Sequence, residues 1–97
     1  MRYASITVAE GLTMADYRAV TDQLGPPPGE GLVVEAAGWN DAGLHVITVW
    51  DSKDHHDRFV SDRLVPAFHA AGVKPTAMTF TDLADAVYQH FNEPANC

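Results

Sequence analysis

The sequence predicts an α+β domain in which an antiparallel sheet carries helices on one face only. Segments with the two-residue alternation of β-strands are interspersed with segments of helical spacing. Two of the strand segments are joined by a turn short enough for a β-hairpin. The 97 residues, 46% of them hydrophobic, correspond to one folded domain spanning 1–97.

The first strand is predicted in the opening eight residues, MRYASITV, where Ala4, Ile6 and Val8 alternate with the residues between them. Thr13 is suited to cap the helix that follows. Apolar residues recur there at helical spacing until Gly25 ends the segment: Met14, Tyr17, Val20 and Leu24.

The connector 26–29, Pro-Pro-Pro-Gly, is predicted as a stiff loop, too short to separate two domains. Leu32–Trp39 and Leu44–Trp50 are predicted as the second and third strands. The four residues between them, 40–43, read Asn-Asp-Ala-Gly and have the composition of a hairpin turn.

The second helix is predicted to begin after the N-cap residue Ser52, with Asp54 near the positive end of the helix dipole. Pro66 lacks an N–H group, and its ring clashes with the carbonyl of Asp62. We therefore expect the helix to break near 63–65, Pro66 to open a second short piece and Gly72 to end it. One side gathers the apolar residues Phe59, Val60, Leu64, Val65 and Phe68.

Residues 76–91 admit two interpretations. In the first, 76–81 is a strand and 82–91 is a helix carrying apolar residues at four-residue spacing. In the second, 86–91 is itself the closing strand. Local pattern does not choose between them.

Strand, helix, strand, strand, helix, strand is the order of a ferredoxin-like βαββαβ unit. Its helices cover one face of the antiparallel sheet, so the other face needs a cover. A second copy of the chain is the simplest one, and we expect a homodimer.

Composition limits the partners. The net charge of -7, from 13 acidic and 6 basic residues, disfavours nucleic acid and anionic membrane. The sequence shows neither a signal peptide nor a run of about 20 apolar residues, so no membrane span is expected. Cys97 is the single cysteine, which excludes an internal disulfide and suits a cytoplasmic location.

The sequence resembles members of the dimeric α/β-barrel superfamily in three places: Val46–Ser52, Phe59 and Arg63–Phe68. Within it they resemble small stand-alone proteins grouped with antibiotic-biosynthesis monooxygenases. The resemblance implies sheets paired back to back and a small-molecule pocket between each sheet and its helices. Relatives include cofactor-independent monooxygenases, haem-degrading enzymes and polyketide cyclases, and fold alone does not choose among them.

Two kinds of bound group are disfavoured. In the haem-degrading branch, the positions of Phe59 and His69 carry a Trp and an iron-ligating His, and the first strand carries an Asn. Only the His is present here, so we predict no cofactor. His55, Asp62 and His69 are seven residues apart, a rise of about 10 Å along a helix, too far to share one ion. We predict no metal site.

The protein is predicted to bind a small apolar or aromatic molecule. If it is an enzyme, it is predicted to oxygenate that molecule without a cofactor. Trp50, Phe59 and Phe68 are predicted to wall the pocket, with Arg63 or His69 as the polar group; His69 is the catalytic candidate. The alternatives are a cyclase or lyase that uses His69 or His90, and a non-catalytic ligand-binding or stress-associated dimer.

Two further polar residues lie on the predicted strands. Glu35 becomes a possible base only if its side chain points inward, where burial raises a carboxyl pKa. His45 is interpreted as a residue of the hairpin end or sheet face.

Overall fold

The structure is a computed structural model that describes residues 2–24, 30–74 and 77–89. It contains four strands and two helical segments, the second divided by a π turn. In chain order the elements are β1 Arg2–Glu10, α1 Met14–Leu24, β2 Leu32–Asn40, β3 Gly43–Trp50, α2 Lys53–Phe59, the π turn Val60–Leu64, α3 Val65–Ala71 and β4 Ala77–Ala86.

The four strands form one antiparallel sheet in the order β2-β3-β1-β4. β1 is a central strand, in which Ile6 lies opposite Ile47 of β3 and Thr81 of β4. This is the predicted ferredoxin-like α+β arrangement, which the structure confirms.

The helices cover the less apolar side of β1. Thr7 and Ala9 face the helices, together with Val46 and Thr48 of β3. The alternate residues of these strands therefore form the opposite face, which is rich in β-branched side chains. On that face Ile47 is 46% exposed and Leu83 of β4 is 45% exposed.

The hairpin between β2 and β3 is confirmed. The backbone N–H of Ala42 donates to Asn40 Oδ1 at 2.8 Å, and Asn40 pairs with Gly43 across the turn. Gly43 has φ 122°, and a Cβ there would collide with the backbone carbonyl of Ala9. Glycine is therefore required at the point where the hairpin meets β1.

The start of α1 is capped as predicted. The backbone N–H of Asp16 donates to Thr13 Oγ1 at 3.2 Å, and the N–H of Thr13 donates to Asp16 Oδ2 at 3.1 Å. This reciprocal pair is a capping box with Asp in the place of Glu. It seats α1 over a buried cluster formed by Ala9, Leu12 and Leu44.

The predicted helix break before Pro66 is wrong. The backbone remains helical at Leu64 (φ -70°, ψ -50°) and Val65 (φ -59°, ψ -47°), and the N–H of Val65 donates to the carbonyl of Val60. A π turn with such i to i-5 bonds absorbs the irregularity. Pro66 follows as the second residue of α3, directly after the i to i-5 bond of Val65, so the π turn precedes the point where its ring would clash with the carbonyl of Asp62 in a regular α-helix.

The predicted start of α2 and the predicted end of α3 are confirmed, whereas Gly25 and the connector 26–29 lie outside the described residues. Ser52 caps α2 in an extended conformation and accepts from the N–H of His55 at 3.3 Å. Gly72 ends α3 with φ 70°. The N–H groups of Val73 and Gly72 donate to the carbonyls of Phe68 and His69, each at 3.2 Å, which is a Schellman motif.

The strand predicted at 76–81 is confirmed over its described residues 77–81, whereas the helix predicted at 82–91 and the separate strand predicted at 86–91 are wrong. Residues 77–86 form one strand, β4, because they pair with β1 along almost its entire length. A bulge opposite Tyr3 accommodates one extra residue, and Asp85 nearby has φ 55°. Residues 87–89 have no regular structure, and His90 and Cys97 lie outside the described residues.

No helix in the described ranges has the length and apolar character needed to cross a bilayer.

Candidate functional site

A cavity of about 90 Å³ lies between the sheet and its helices. β1 and β3 form its floor, while α1, α2 and the π turn form its walls. Most of the lining is apolar, and it includes Val20, Leu24, Val46, Val60, Leu64 and Met78.

Aromatic side chains form one wall of the cavity. Trp50 is 1% exposed, and its ring centroid lies 5.2 Å from that of Phe59. Phe68 lines the same cavity from α3. The structure thus places three of the predicted pocket residues together. Trp50 Nε1 is buried without a hydrogen-bond partner among the described residues.

Arg63 and His69 are not part of the lining. The guanidinium Nη2 of Arg63 donates to the carbonyl of Leu24 at 2.7 Å, so it satisfies the C-terminal end of α1. His69 is exposed and borders a shallow depression beside Gly72 and Lys74. The cavity therefore takes its polar groups from other residues.

His56 supplies one of them. It is 8% exposed and lines the cavity from α2. Its ring packs against both Tyr3 and Trp50, whose ring centroids are 5.0 and 5.8 Å away. Nδ1 lies 3.0 Å from Asp57 Oδ1. These contacts fix the orientation of the imidazole.

Asp57 is itself held by two partners. Lys53 Nζ lies 2.9 Å from Oδ2, while His56 contacts the other oxygen. The hydrogen bonds from Lys53 and then His56 lower the pKa of the Asp57 carboxyl below its usual range. The carboxylate is therefore ionised beside the imidazole.

Tyr17 and Glu35 form the second polar group. The Tyr17 hydroxyl donates to the Glu35 carboxylate, joining α1 to the edge strand β2. Burial, followed by the nearby Glu35 charge, raises the pKa of Tyr17 to about 12. Glu35 is exposed, yet its side chain lies on the helix side of the sheet and lines the cavity. The cavity therefore reaches the surface at this pair, which we call the cavity mouth.

Two other candidates lie elsewhere. His45 Nδ1 is 3.1 Å from the carbonyl oxygen of Gly43, near the hairpin end, on the face turned away from the helices. His55 Nδ1 is 2.7 Å from Ser52 Oγ at the helix cap. Within the ranges that the structure describes, no group of three or more His, Cys, Asp or Glu side chains is arranged to hold a metal ion.

His56 was not predicted as a site residue, although the sequence contains a signal for it. His55 and His56 are adjacent, and only the register of the helix decides which one turns inward. The signal lies in the cap: with Ser52 as N-cap, His56 is the fourth helical residue and falls one turn below Phe59 and Val60. His56 thus shares their face.

Comparison with solved structures identifies the fold. A protein assigned as an antibiotic biosynthesis monooxygenase from Chloroflexus aurantiacus J-10-fl superimposes with a TM-score of 0.67 at 13% identity, over 95% of this chain and 100% of that one. Rv0793 from Mycobacterium tuberculosis gives 0.65 at 17% identity, over 93% and 100%.

A variant of SnoaB, a cofactor-independent oxygenase from Streptomyces nogalater, gives a TM-score of 0.54 at 17% identity, over 95% of this chain and 96% of that one. This chain has their fold. The predicted resemblance to antibiotic-biosynthesis-monooxygenase-like proteins is thereby confirmed at the level of architecture. No protein-family model and no curated protein matches the sequence.

Proposed function

We propose that this chain is a homodimeric, cytoplasmic protein that binds a small aromatic molecule between its sheet and helices and oxidises it with oxygen, without a cofactor. The observation that carries the proposal is the apolar cavity walled by Trp50, Phe59 and Phe68. Ligand sites are typically concave and apolar with a few placed polar groups, and His56 and Glu35 supply such groups here.

The volume of the cavity limits the ligand. An apolar cavity of about 150 Å³ accommodates benzene, and the present cavity of about 90 Å³ is smaller. One ring can enter if side chains move modestly, and the rest of a larger, polyketide-like molecule would lie toward Glu35. We therefore propose a phenol, quinol or anthrone type of substrate.

The proposed reaction needs no external reductant. An aromatic anion donates electrons to oxygen. One oxygen atom bonds to the methylene carbon of an anthrone, which becomes a carbonyl, or to a ring C–H carbon of a phenol or quinol, which becomes a quinone; the second oxygen atom leaves as water. Enclosure by apolar residues excludes solvent from the reacting centre. The fold shared with a protein named as a cofactor-independent oxygenase supports this reaction over others.

The dimer is proposed from the uncovered sheet face. On this face, side chains that are paired across neighbouring strands form rows in the order β2, β3, β1, β4. One row is Val34, Val49, Ala4 and Leu83, and the next is Ala36, Ile47, Ile6 and Thr81. A contiguous apolar surface of this kind marks an interface. A second copy of the same face would cover it by two-fold symmetry.

Binding and turnover are tested with a panel of phenols, quinols and anthrones. At least one compound is expected to raise the melting temperature and to bind saturably, with oxygen consumption dependent on the protein. Leu64→Trp, which fills the cavity, should abolish both. Val65→Trp is the matched control, because Val65 is adjacent but 45% exposed.

Other outcomes point to other functions. Saturable binding without oxygen consumption would indicate a non-catalytic binding protein. Turnover that continues without oxygen would indicate a cyclase or lyase. If no compound shifts the melting temperature, the cavity is not a ligand site of this class.

A further inference from the structure

We propose that His56, oriented by Asp57, is the base that removes a proton from the ligand in the cavity. The inference rests on the proposed ligand site and adds the residue that would generate the reactive anion. It extends to any enolisable or phenolic ligand, whether or not oxygen then reacts with it.

Geometry assigns the two ring nitrogens of His56 different roles. Nδ1 faces the Asp57 carboxylate at 3.0 Å, and this ionised oxygen accepts the Nδ1 proton. In the neutral ring, Nε2 then carries the free lone pair and can accept a proton. The arrangement keeps one tautomer, as a carboxylate does for a catalytic imidazole.

Packing holds that ring in place. The rings of Tyr3 and Trp50, which are neighbours across β1 and β3, both contact the imidazole of His56, and the residue is 8% exposed. Asp57 is held in turn by Lys53. A base fixed by such neighbours loses little freedom when the ligand binds.

The position of His56 also provides a route for the proton. The residue lines the cavity on one side and, on the other, an open surface groove of about 280 Å³ bordered by Lys53, Asp57 and Phe80. A proton taken from the ligand can therefore leave to solvent without crossing the cavity mouth.

The competing groups are less suited to this role. Tyr17 has a pKa raised to about 12, so it remains protonated and donates. Glu35 already accepts the Tyr17 hydroxyl at the mouth. Of the cavity-lining residues that the structure describes, His56 alone has an imidazole.

Charged and titratable groups near His56 come from three of the elements packed around it. α2 contributes Asp57 and Lys53, β1 contributes Tyr3, and Asp82 of β4 accepts the Tyr3 hydroxyl. The imidazolium formed by proton uptake lies against the Asp57 carboxylate, which stabilises it.

The chemical step is a proton transfer. A phenolic O–H breaks, or a C–H that is acidified by an adjacent or ring-conjugated carbonyl; its proton bonds to His56 Nε2, and the electron pair stays on the ligand as phenolate or enolate. Reaction of that anion with oxygen is a separate event and belongs to the proposed function.

The experiment therefore measures proton removal without oxygen. Anthrone and the smaller β-tetralone are incubated anaerobically in deuterated buffer, and deuterium entry at the acidic carbon is followed by NMR. The wild type is expected to accelerate exchange. His56→Gln should slow it about 100-fold or more, the usual contribution of a positioned base, with ligand affinity nearly unchanged.

Two further variants separate a base from a structural residue. Asp57→Asn should reduce exchange less than His56→Gln, and added imidazole should partly rescue His56→Gln. Rescue would not occur if the residue only supported the fold. His55→Gln, whose histidine lies at the helix cap, is the matched control and should exchange at the wild-type rate.

The outcomes distinguish the two proposals. Accelerated exchange that depends on His56, without oxygen consumption, supports the base and rejects the oxygenase. Oxygen consumption with equal exchange rates in wild type and His56→Gln supports the oxygenase and overturns the base. A wild type that accelerates no exchange for either probe also overturns the base.

Discussion

Two tyrosines hold their protons more tightly than a free phenol does. Tyr3 donates to the Asp82 carboxylate and Tyr17 to the Glu35 carboxylate. Burial first, and then the neighbouring carboxylate, raises the pKa of each to about 12. Both phenols therefore stabilise the folded state only while protonated.

This linkage predicts a loss of stability in alkali. An unfolded tyrosine loses its proton near pH 10, whereas the folded ones keep theirs to about 12. The free energy of unfolding in urea should therefore fall as pH rises from 10 toward 12. The loss should be below about 2.7 kcal/mol for each tyrosine, since Tyr17 is partly exposed and solvent screens its interactions.

The control is the double variant Tyr3→Phe and Tyr17→Phe, which cannot lose these protons. Its stability should decline less over the same pH range. An equal decline in both proteins would contradict the assignment of the two pKa shifts.

At the residue scale, the position of a side chain could be predicted where it was large and apolar. Trp50, Phe59 and Phe68 were predicted at the cavity, and they lie there, because the face of a helix can be read from its spacing. Polar residues are harder to place. The predicted Arg63 reaches a carbonyl of α1, a contact 39 residues away in sequence that no local pattern contains.

At the scale of elements, the second helical segment depends on its cap. Ser52→Ala removes the acceptor for the N–H of His55 and should lower the free energy of unfolding by about 1 kcal/mol. Ser61→Ala, at an exposed position of the π turn, should change it by less than about 0.5 kcal/mol. Equal effects in urea denaturation would contradict the role of the cap.

Prediction of elements was correct for β1 to β3, for the helix caps at Thr13 and Ser52 and for the helix end at Gly72. It failed where distant pairing or a rare geometry decided the outcome. β4 is a strand through residue 86 because β1 offers it an unpaired edge. The π turn keeps the helix continuous before Pro66, whereas short-range rules anticipate a break.

At the scale of the molecule, the sheet leaves its more branched face open. The two-residue alternation along β1 places Ala4, Ile6 and Val8 on one face and the residues between them on the other. It does not indicate which of the two faces contacts the helices. The structure assigns the helices to the side of Thr7. The choice depends on the whole topology, since both sides of β1 are apolar enough to be covered.

The proposed dimer is tested on that face. Ile47→Asp places a charge in the middle of it and should convert the protein to a monomer by sedimentation at micromolar concentration, with folded secondary structure retained. Val65→Asp introduces the same charge on an exposed helix position and should leave the dimer intact. A wild type that sediments as a monomer would reject the dimer.

The unequal exposure of the two tryptophans gives the protein an internal optical signal. Trp50 is 1% exposed and Trp39 is 56% exposed, so a water-borne quencher reaches one indole and spares the other. The fluorescence that survives quenching comes from Trp50, whose ring lies 5.8 Å from the imidazole of His56. Because a protonated imidazole quenches a nearby indole, this emission reports the charge on His56 in the unmodified chain.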